Sequence, residues 1–427
     1  MNLLPDLAAR RRKSGITSVC SAHPLVLRAA LRMAAESGSP ALIEATCNQV
    51  NQEGGYTGLR PADFAAQVHD LARAEGCPPG LVILGGDHLG PNPWRDLPAE
   101  AAMAQAETCV AEYVAAGFRK IHLDASMGCR EETAALDDAT TAQRALRLAR
   151  AAEEVAHGAG GPAPVYVIGT EVPPPGGADH LLQGVPATAP EAARKTYAVH
   201  AQAFAEAGLA QAFNRVIAMV VQPGVEFGNR NVVTYDPPAA AGLVQVLGDL
   251  PGLVFEAHST DYQPQAALGA LVRDGFAILK VGPQLTFALR EALYALDLIA
   301  GDLVPGYGAR PLMARMETAM LAEPGHWRGH YGGDEADARL LRHYSLSDRI
   351  RYLWPSTMAQ HAVADLRAAL DGRVIPLPLI WQHLPGADAF AASPASVDEI
   401  VIWRVGRVLR AYHAACLGGA GEETHGA

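Results

Sequence analysis

Short runs of apolar and β-branched residues recur along the chain at intervals of about 25 to 45 residues, at 15–20, 41–46, 81–85, 120–125, 165–170, 215–222, 253–258 and 277–282. Between and after them lie Ala-rich stretches whose apolar positions repeat at helical spacing, at 61–75, 99–116, 141–157, 190–207, 237–247, 263–274 and 286–299. Strand and helix alternating eight times predict an α/β fold, a (β/α)₈ TIM barrel, over residues 1–300. A doubly wound sheet would show the same alternation. The polar residues favour the barrel, because nearly every apolar run ends in them on its C-terminal side, as in Gly-Gly-Asp-His, His-Leu-Asp-Ala-Ser and Glu-Ala-His-Ser-Thr-Asp. Barrel enzymes place their chemistry on that face. From residue 301 the pattern changes to Arg-, His- and Trp-containing segments with helical spacing, at 344–354, 356–370 and 397–415, which predicts a helical extension over 301–417. The Gly-rich, acidic tail 418–427 is expected to fray.

Composition narrows the function. The chain has 427 residues, 49% of them hydrophobic, and a net charge of −11, with no basic run beyond residues 10–13. That excludes a disordered chain and argues against nucleic acid as a partner. No run of about 18 apolar residues and no signal-peptide pattern is present, so a cytoplasmic protein without membrane contact is expected. The six cysteines form no Cys-x-x-Cys pair, which disfavours a zinc ribbon or a redox motif. Lysine occurs only at positions 13, 120, 195 and 280, so few amines are on offer for covalent chemistry.

Candidate chemistry sits at the strand ends. Asp87 and His88 lie between glycines, where backbone and ligand can approach closely. The imidazole can ligate a divalent metal and the carboxylate can serve as acid or base, although a turn carboxylate beside a solvated histidine would read alike. A period of two puts His122 and Asp124 on one face of the fourth run, with Asp124 nearer the mouth as ligand or base and His122 deeper, more simply a core histidine. Glu171 ends the fifth run, and on the seventh Glu256 and His258 face inward with Ser259 and Asp261 at the rim. His88, Glu171 and His258 thus form a candidate divalent site, zinc before manganese. Glu44 and Asn48 belong to an amide-rich cluster suited to a polyhydroxylated substrate. Lys280 is placed either for a Schiff base or as a counter-ion for a carboxylate or phosphate, and Gly282 opens a helix whose N-terminus could hold an anion together with Ser259 and Thr260. Arg349 and Arg351 read as helix-capping surface residues, with reach over the mouth as the alternative.

Five strings taken together are far more specific than any one of these: residues 43–52 (IEATCNQVNQ), 84–92 (LGGDHLGPN), 120–127 (KIHLDASM), 256–263 (EAHSTDYQ) and 344–352 (YSLSDRIRY). They resemble the D-tagatose-1,6-bisphosphate aldolase accessory-subunit family, and the resemblance runs from about Ser18 to Tyr412. It implies a fold similar to class II, metal-dependent aldolases, and either C4 epimerisation of a ketohexose or its 6-phosphate or a non-catalytic role supporting a separate aldolase chain. The C4 hydrogen of a 2-ketohexose is β to the carbonyl and not acidified, so inversion there calls for breaking and re-forming C3–C4. On this reading His88, Glu171 and His258 bind the metal, and Asp87 and Asp124 act as acid and base. Glu44 and Asn48 hold hydroxyls, and Ser259 and Lys280 hold the phosphate or the far hydroxyls. A Schiff-base aldolase using Lys280 is the third possibility, separable by borohydride trapping and indifference to chelators. A homo-oligomer associating through the extension is also expected.

Overall fold

In the computed structural model, residues 3–159, 162–169 and 184–418 are described. Eight parallel strands, β1 (Ile16–Cys20), β2 (Ala41–Thr46), β3 (Val82–Leu89), β4 (Lys120–Leu123), β5 (Val165–Ile168), β6 (Val216–Val220), β7 (Val254–Ala257) and β8 (Phe276–Val281), follow one another round a closed barrel in which β8 returns to β1. This is the (β/α)₈ architecture expected from the alternation. β3 runs four residues past its apolar stretch, through Asp87 and His88 to Leu89, because its pairing with β4 shifts register between Gly86 and Leu89. His88 adopts φ +46° within that irregularity. The following turn passes so close to β4 that a Cβ at Gly90 would lie 1.6 Å from the Asp124 carbonyl oxygen, so only glycine fits. A short antiparallel ribbon, Glu226–Phe227 against Val232–Val233, follows β6.

The two ends of the barrel differ. At the N-terminal end Ile16, Leu42, Val165, Val167, Val254 and Ile278 form an apolar interior that Leu3, Leu4 and Leu7 close from below. Burial of such side chains contributes about 1.5–3 kcal/mol each. The C-terminal end is polar and opens into a cavity of about 1180 Å³.

The chain after residue 300 is built onto the barrel. Helix Val397–Cys416 packs against Pro24–Ser37, Gln265–Arg273 and Pro283–Leu303, and the Tyr412 hydroxyl donates to the Thr260 carbonyl at 2.6 Å. The predicted helical segment 344–354 is instead the end of helix Glu335–Tyr344 followed by a 3₁₀ turn, Arg349–Leu353. The break falls at Asp348, whose φ is +46° and whose carboxylate is held by Thr286 Oγ1 at 2.7 Å and Arg290 Nε at 3.0 Å. That latch sets the turn over the barrel mouth. Among the described residues no helix is long and apolar enough to cross a membrane.

Candidate active site

β3, β4 and β7 bring three histidines together under the cavity. Ring centroids lie 4.7 Å apart for His88 and His258, 4.9 Å for His88 and His122, and 5.4 Å for His122 and His258. Each ring has a nitrogen on a carbonyl or carboxylate oxygen, and the other His122 nitrogen, Nδ1, accepts from the His88 backbone N–H at 3.2 Å. His122 Nε2 donates to the Gly169 carbonyl at 2.9 Å, His88 Nδ1 pairs with Asp124 Oδ2 at 2.8 Å, and His258 Nε2 pairs with Glu256 Oε1 at 2.9 Å. A carbonyl or carboxylate only accepts, so the proton of each neutral ring sits on that nitrogen and the other carries a lone pair. Asp87 Oδ1 lies 3.2 Å from His122 Nδ1 and 3.7 Å from His88 Nε2, the two lone-pair nitrogens. Asp87, His88, His122 and His258 each offer one ligand atom within 4.8 Å of the others, a group able to hold a metal ion. Carboxylates and carbonyls behind metal-binding histidines fix tautomer and ring orientation in the same manner. Burial, with the neighbouring imidazoles, pushes His122 down to about 4 and overcomes Glu256 to push His258 down to about 3, which keeps both rings neutral.

Below the histidines lies a charged floor. Lys120 Nζ sits 2.7 Å from Glu44 Oε1 and 2.8 Å from Glu256 Oε2, with all three side chains sealed from solvent. Burial alone would lower the Lys120 ammonium, but the Glu256 and Glu44 carboxylates outweigh it and hold it above its ordinary value. Lys280 Nζ is ion-paired with Asp87 Oδ1 and lies 3.4 Å from Glu44 Oε2 and 3.5 Å from Glu256 Oε1. Two ammonium groups therefore face three carboxylates (Glu44, Asp87 and Glu256), and with Asp124 beside His88 the cluster holds four carboxylates against two ammonium groups, a formal excess of two negative charges that one divalent cation would offset. Asp124 spends Oδ2 on His88 and Oδ1 on the Ser126 hydroxyl at 2.9 Å. Those bonds overcome burial and hold its carboxyl well below the usual range.

The structure redistributes several expectations. His122, read as a core histidine, joins His88 and His258, while Glu171 lies outside the described residues. Glu44 does not line the cavity and cannot meet a hydroxyl there, because it is buried under the floor with both oxygens facing lysines. Lys280 borders the cavity but its ammonium is committed to carboxylates, so it is not the phosphate holder. The helix N-terminus after Gly282 is likewise taken, since Asp261 Oδ1 accepts from the Gly282 and Gln284 N–H groups at 3.0 and 2.8 Å. Asn48, Asp87, Asp124 and Ser259 all line the cavity, and so do Arg349 and Arg351 from the extension. Arg351 Nη2 donates to the Tyr352 hydroxyl at 2.9 Å, with its guanidinium 4.5 Å from that ring's centroid. Lys120 was missed, although it shares the parity of His122 and Asp124 on β4.

A closed barrel with three clustered histidines, an acid and an excess of carboxylates at its C-terminal mouth defines an enzyme class: barrel enzymes with a centre suited to a divalent cation. The comparison with known proteins is narrower. The chain belongs to the GatZ_KbaZ-like family, described as D-tagatose-1,6-bisphosphate aldolase subunit GatZ/KbaZ-like, whose model matches residues 2–417. It is 59% identical over 416 residues, 97% of this chain and 98% of the relative, to a D-tagatose 6-phosphate 4-epimerase of Agrobacterium fabrum (strain C58). It also superimposes on the crystal structure of a probable tagatose 6 phosphate kinase from Sinorhizobium meliloti 1021 with a TM-score of 0.87 and 52% identity, over 94% of this chain and 100% of that one.

Proposed function

We propose that this chain is a metal-dependent 4-epimerase that converts D-tagatose 6-phosphate to D-fructose 6-phosphate. The observation that carries the reading is the convergence of Asp87, His88, His122 and His258 into one group able to hold a metal ion, in a cluster whose carboxylates outnumber its ammonium groups by two. The name of the Agrobacterium fabrum relative, matched over nearly its full length, supplies the substrate.

Three imidazoles and a carboxylate suit zinc, with manganese as the alternative, and Glu171 would add a further oxygen donor. When bound, a divalent ion supplies Lewis-acid stabilisation of negative charge developing on O2 and O3. The chain's own residues do the rest. Asp87 Oδ1 is shared between Lys280 and the histidines, while among the described residues Oδ2 is approached by Cys20 Sγ at 3.7 Å, so Oδ2 takes the C4 hydroxyl proton as C3–C4 breaks. Asp124 orients His88, and Glu256, anchored by Lys120, orients His258. Asn48 and Ser259 hold hydroxyls, and Arg349 and Arg351 receive the phosphate from the extension.

The family description supports a second reading, a subunit that serves a separate aldolase. The floor argues for catalysis, because burying unevenly matched charges costs several kcal/mol per ion that a purely structural barrel gains nothing from. A Schiff base on Lys280 fits poorly, since a carbonyl would have to displace three carboxylates to reach Nζ. Incubating the purified chain alone with D-tagatose 6-phosphate and following the sugars by NMR tests the reading. D-fructose 6-phosphate is the expected product. No turnover, together with activation of a separately supplied aldolase chain, replaces it with the subunit role.

A further inference from the structure

Inversion at C4 sets a requirement that Asp87 alone does not meet. After cleavage the aldehyde must present its other face to C3, so its oxygen swings across the site, where a second group has to return the proton. β3 and β7 stand four places apart in the eight-stranded barrel, on opposite sides. On the β7 side Ser259 lines the cavity with φ +51°, a strained conformation for a non-glycine residue. Behind it, on the ribbon after β6, lies the fully buried Glu226, close enough for the Ser259 side chain to stabilise its carboxylate. Its Oε1 accepts from the Phe227 N–H at 2.9 Å, and its Oε2 has no partner among the described residues. A glutamine would keep the Phe227 bond without the cost of burying an acid, so the fold alone gives no reason for a carboxyl here. Burial pushes this carboxyl up to about 7, against the Phe227 N–H and the Ser259 side chain. The titratable group facing it is Asp261, on the segment after β7, which adds to the rise and is itself pushed by burial up to about 6.

We propose that Glu226, acting through the Ser259 hydroxyl, is the second proton-transfer station of the C4 inversion, facing Asp87 across the mouth. The proposal rests on the epimerase reading above. As C3–C4 breaks, its electron pair enters the C2–C3 enediolate and Asp87 takes the C4 hydroxyl proton. As the bond re-forms on the other face, the enediolate pair makes the new C3–C4 bond and the carbonyl pair moves onto O4. O4 then takes the Ser259 proton, which Glu226 replaces. The turnover leaves Asp87 protonated and Glu226 ionised, and both exchange with water in the cavity before the next. In the reverse direction their roles swap. Ser259 is the group that touches substrate, and Glu226 is the positioning residue behind it.

The test uses Glu226→Gln and Ser259→Gly, the latter removing the hydroxyl at a position whose φ glycine adopts freely. Epimerisation is followed by NMR in both directions across pH, and triose-phosphate release is followed in parallel with a coupled dehydrogenase. The expected result is a fall in epimerisation on the order of 10²-fold or more. Triose-phosphate release should persist, and the limb near neutral pH in the wild-type kcat profile should vanish. Glu226→Asp should restore part of the rate. The proposal is overturned if the variants epimerise at the wild-type rate with the wild-type profile. It is equally overturned if cleavage and epimerisation fall together with the limb unchanged, the signature of a structural role. Should Glu226→Gln fail to fold, Ser259→Gly decides on the same readouts. A wild-type chain that epimerises in neither direction strikes the underlying reading instead.

Discussion

His258 at the barrel mouth and His343 in the helical extension are both buried, both sit beside a glutamate, and burial is the main cause that pushes both down, to about 3 and about 4. Their wiring differs. His343 has Nδ1 2.7 Å from the Tyr294 hydroxyl and Nε2 3.0 Å from Glu317 Oε2, and Glu317 is also tied to Arg342 at 2.6 Å. Both of its nitrogens face side chains of the extension and the helix beneath it. His258 gives Nε2 to a glutamate that Lys120 anchors, and its ring stands beside two more histidines at the cavity. Burial and a lowered pKa therefore do not separate a structural histidine from a ligand. Their company does: His258 stands with His88, His122 and Asp87 as a group able to hold a metal ion, whereas His343 is packed among Tyr294, Tyr344 and Glu317.

Substitution should break the two regions in different ways, and the largest effect is expected at the mouth. His88→Ala or His258→Ala should remove bound divalent metal and cut epimerase kcat/KM on the order of 10³-fold or more, since several kcal/mol of charge stabilisation go with the ion. His343→Ala should leave metal content and kcat in place and lower the melting temperature, costing about 1–3 kcal/mol through the orphaned Tyr294 and Glu317. Metal analysis beside calorimetry on the three variants checks both halves, and equal behaviour of His258 and His343 would erase the distinction. Lys120→Met should destabilise by about 3–5 kcal/mol, because Glu44 and Glu256 lose their shared buried cation. A denaturant midpoint near that of the wild type would show the floor to be less tightly balanced than its geometry implies. Asp124→Asn should weaken metal affinity about 10–100-fold with the fold intact, as expected for a group that orients a ligand. Competition with a chelator of known affinity measures it.

The smallest effect concerns pH. His343 is held neutral in the native state while the unfolded chain binds its proton below about 6.5. Stability from this group is complete above that pH and is lost as pH falls toward about 4. His343→Gln should flatten the stability–pH slope in that window by up to about 1.4 kcal/mol per pH unit. Urea titrations at several pH values read it, and an unchanged slope would mean that His343 is protonated in the native state.

The strands were legible because each apolar run ended in polar residues, and the boundaries from the pattern lie within a few residues of the observed ones except on β3. There the register shift carries Asp87 and His88 into the strand, a feature that no periodicity announces. Parity placed His122 and Asp124 inside the barrel. The same parity places Lys120 there too, although a lysine at the start of an apolar run gives no sign in the sequence of being buried. Glu44 sat on the right strand with lysines rather than hydroxyls as neighbours, and of the readings open for Lys280 the carboxylate counter-ion is the one the ion pairs match, because whether a charged side chain meets substrate or another buried charge depends on contacts across the barrel. The same holds for the Gly282 helix, whose N-terminus Asp261 already satisfies. Arg349 and Arg351 reach the mouth through the latch of Asp348 on Thr286 and Arg290, about 60 residues away in sequence, which local patterning does not reveal.

The most direct test of the account strips the purified chain with a chelator and titrates a divalent ion back while D-tagatose 6-phosphate conversion is followed by NMR. The account predicts an inactive stripped chain, recovery that saturates at one ion per chain, and no recovery in His88→Ala or His258→Ala. Undiminished conversion by the stripped chain would contradict it, as would full recovery in either variant.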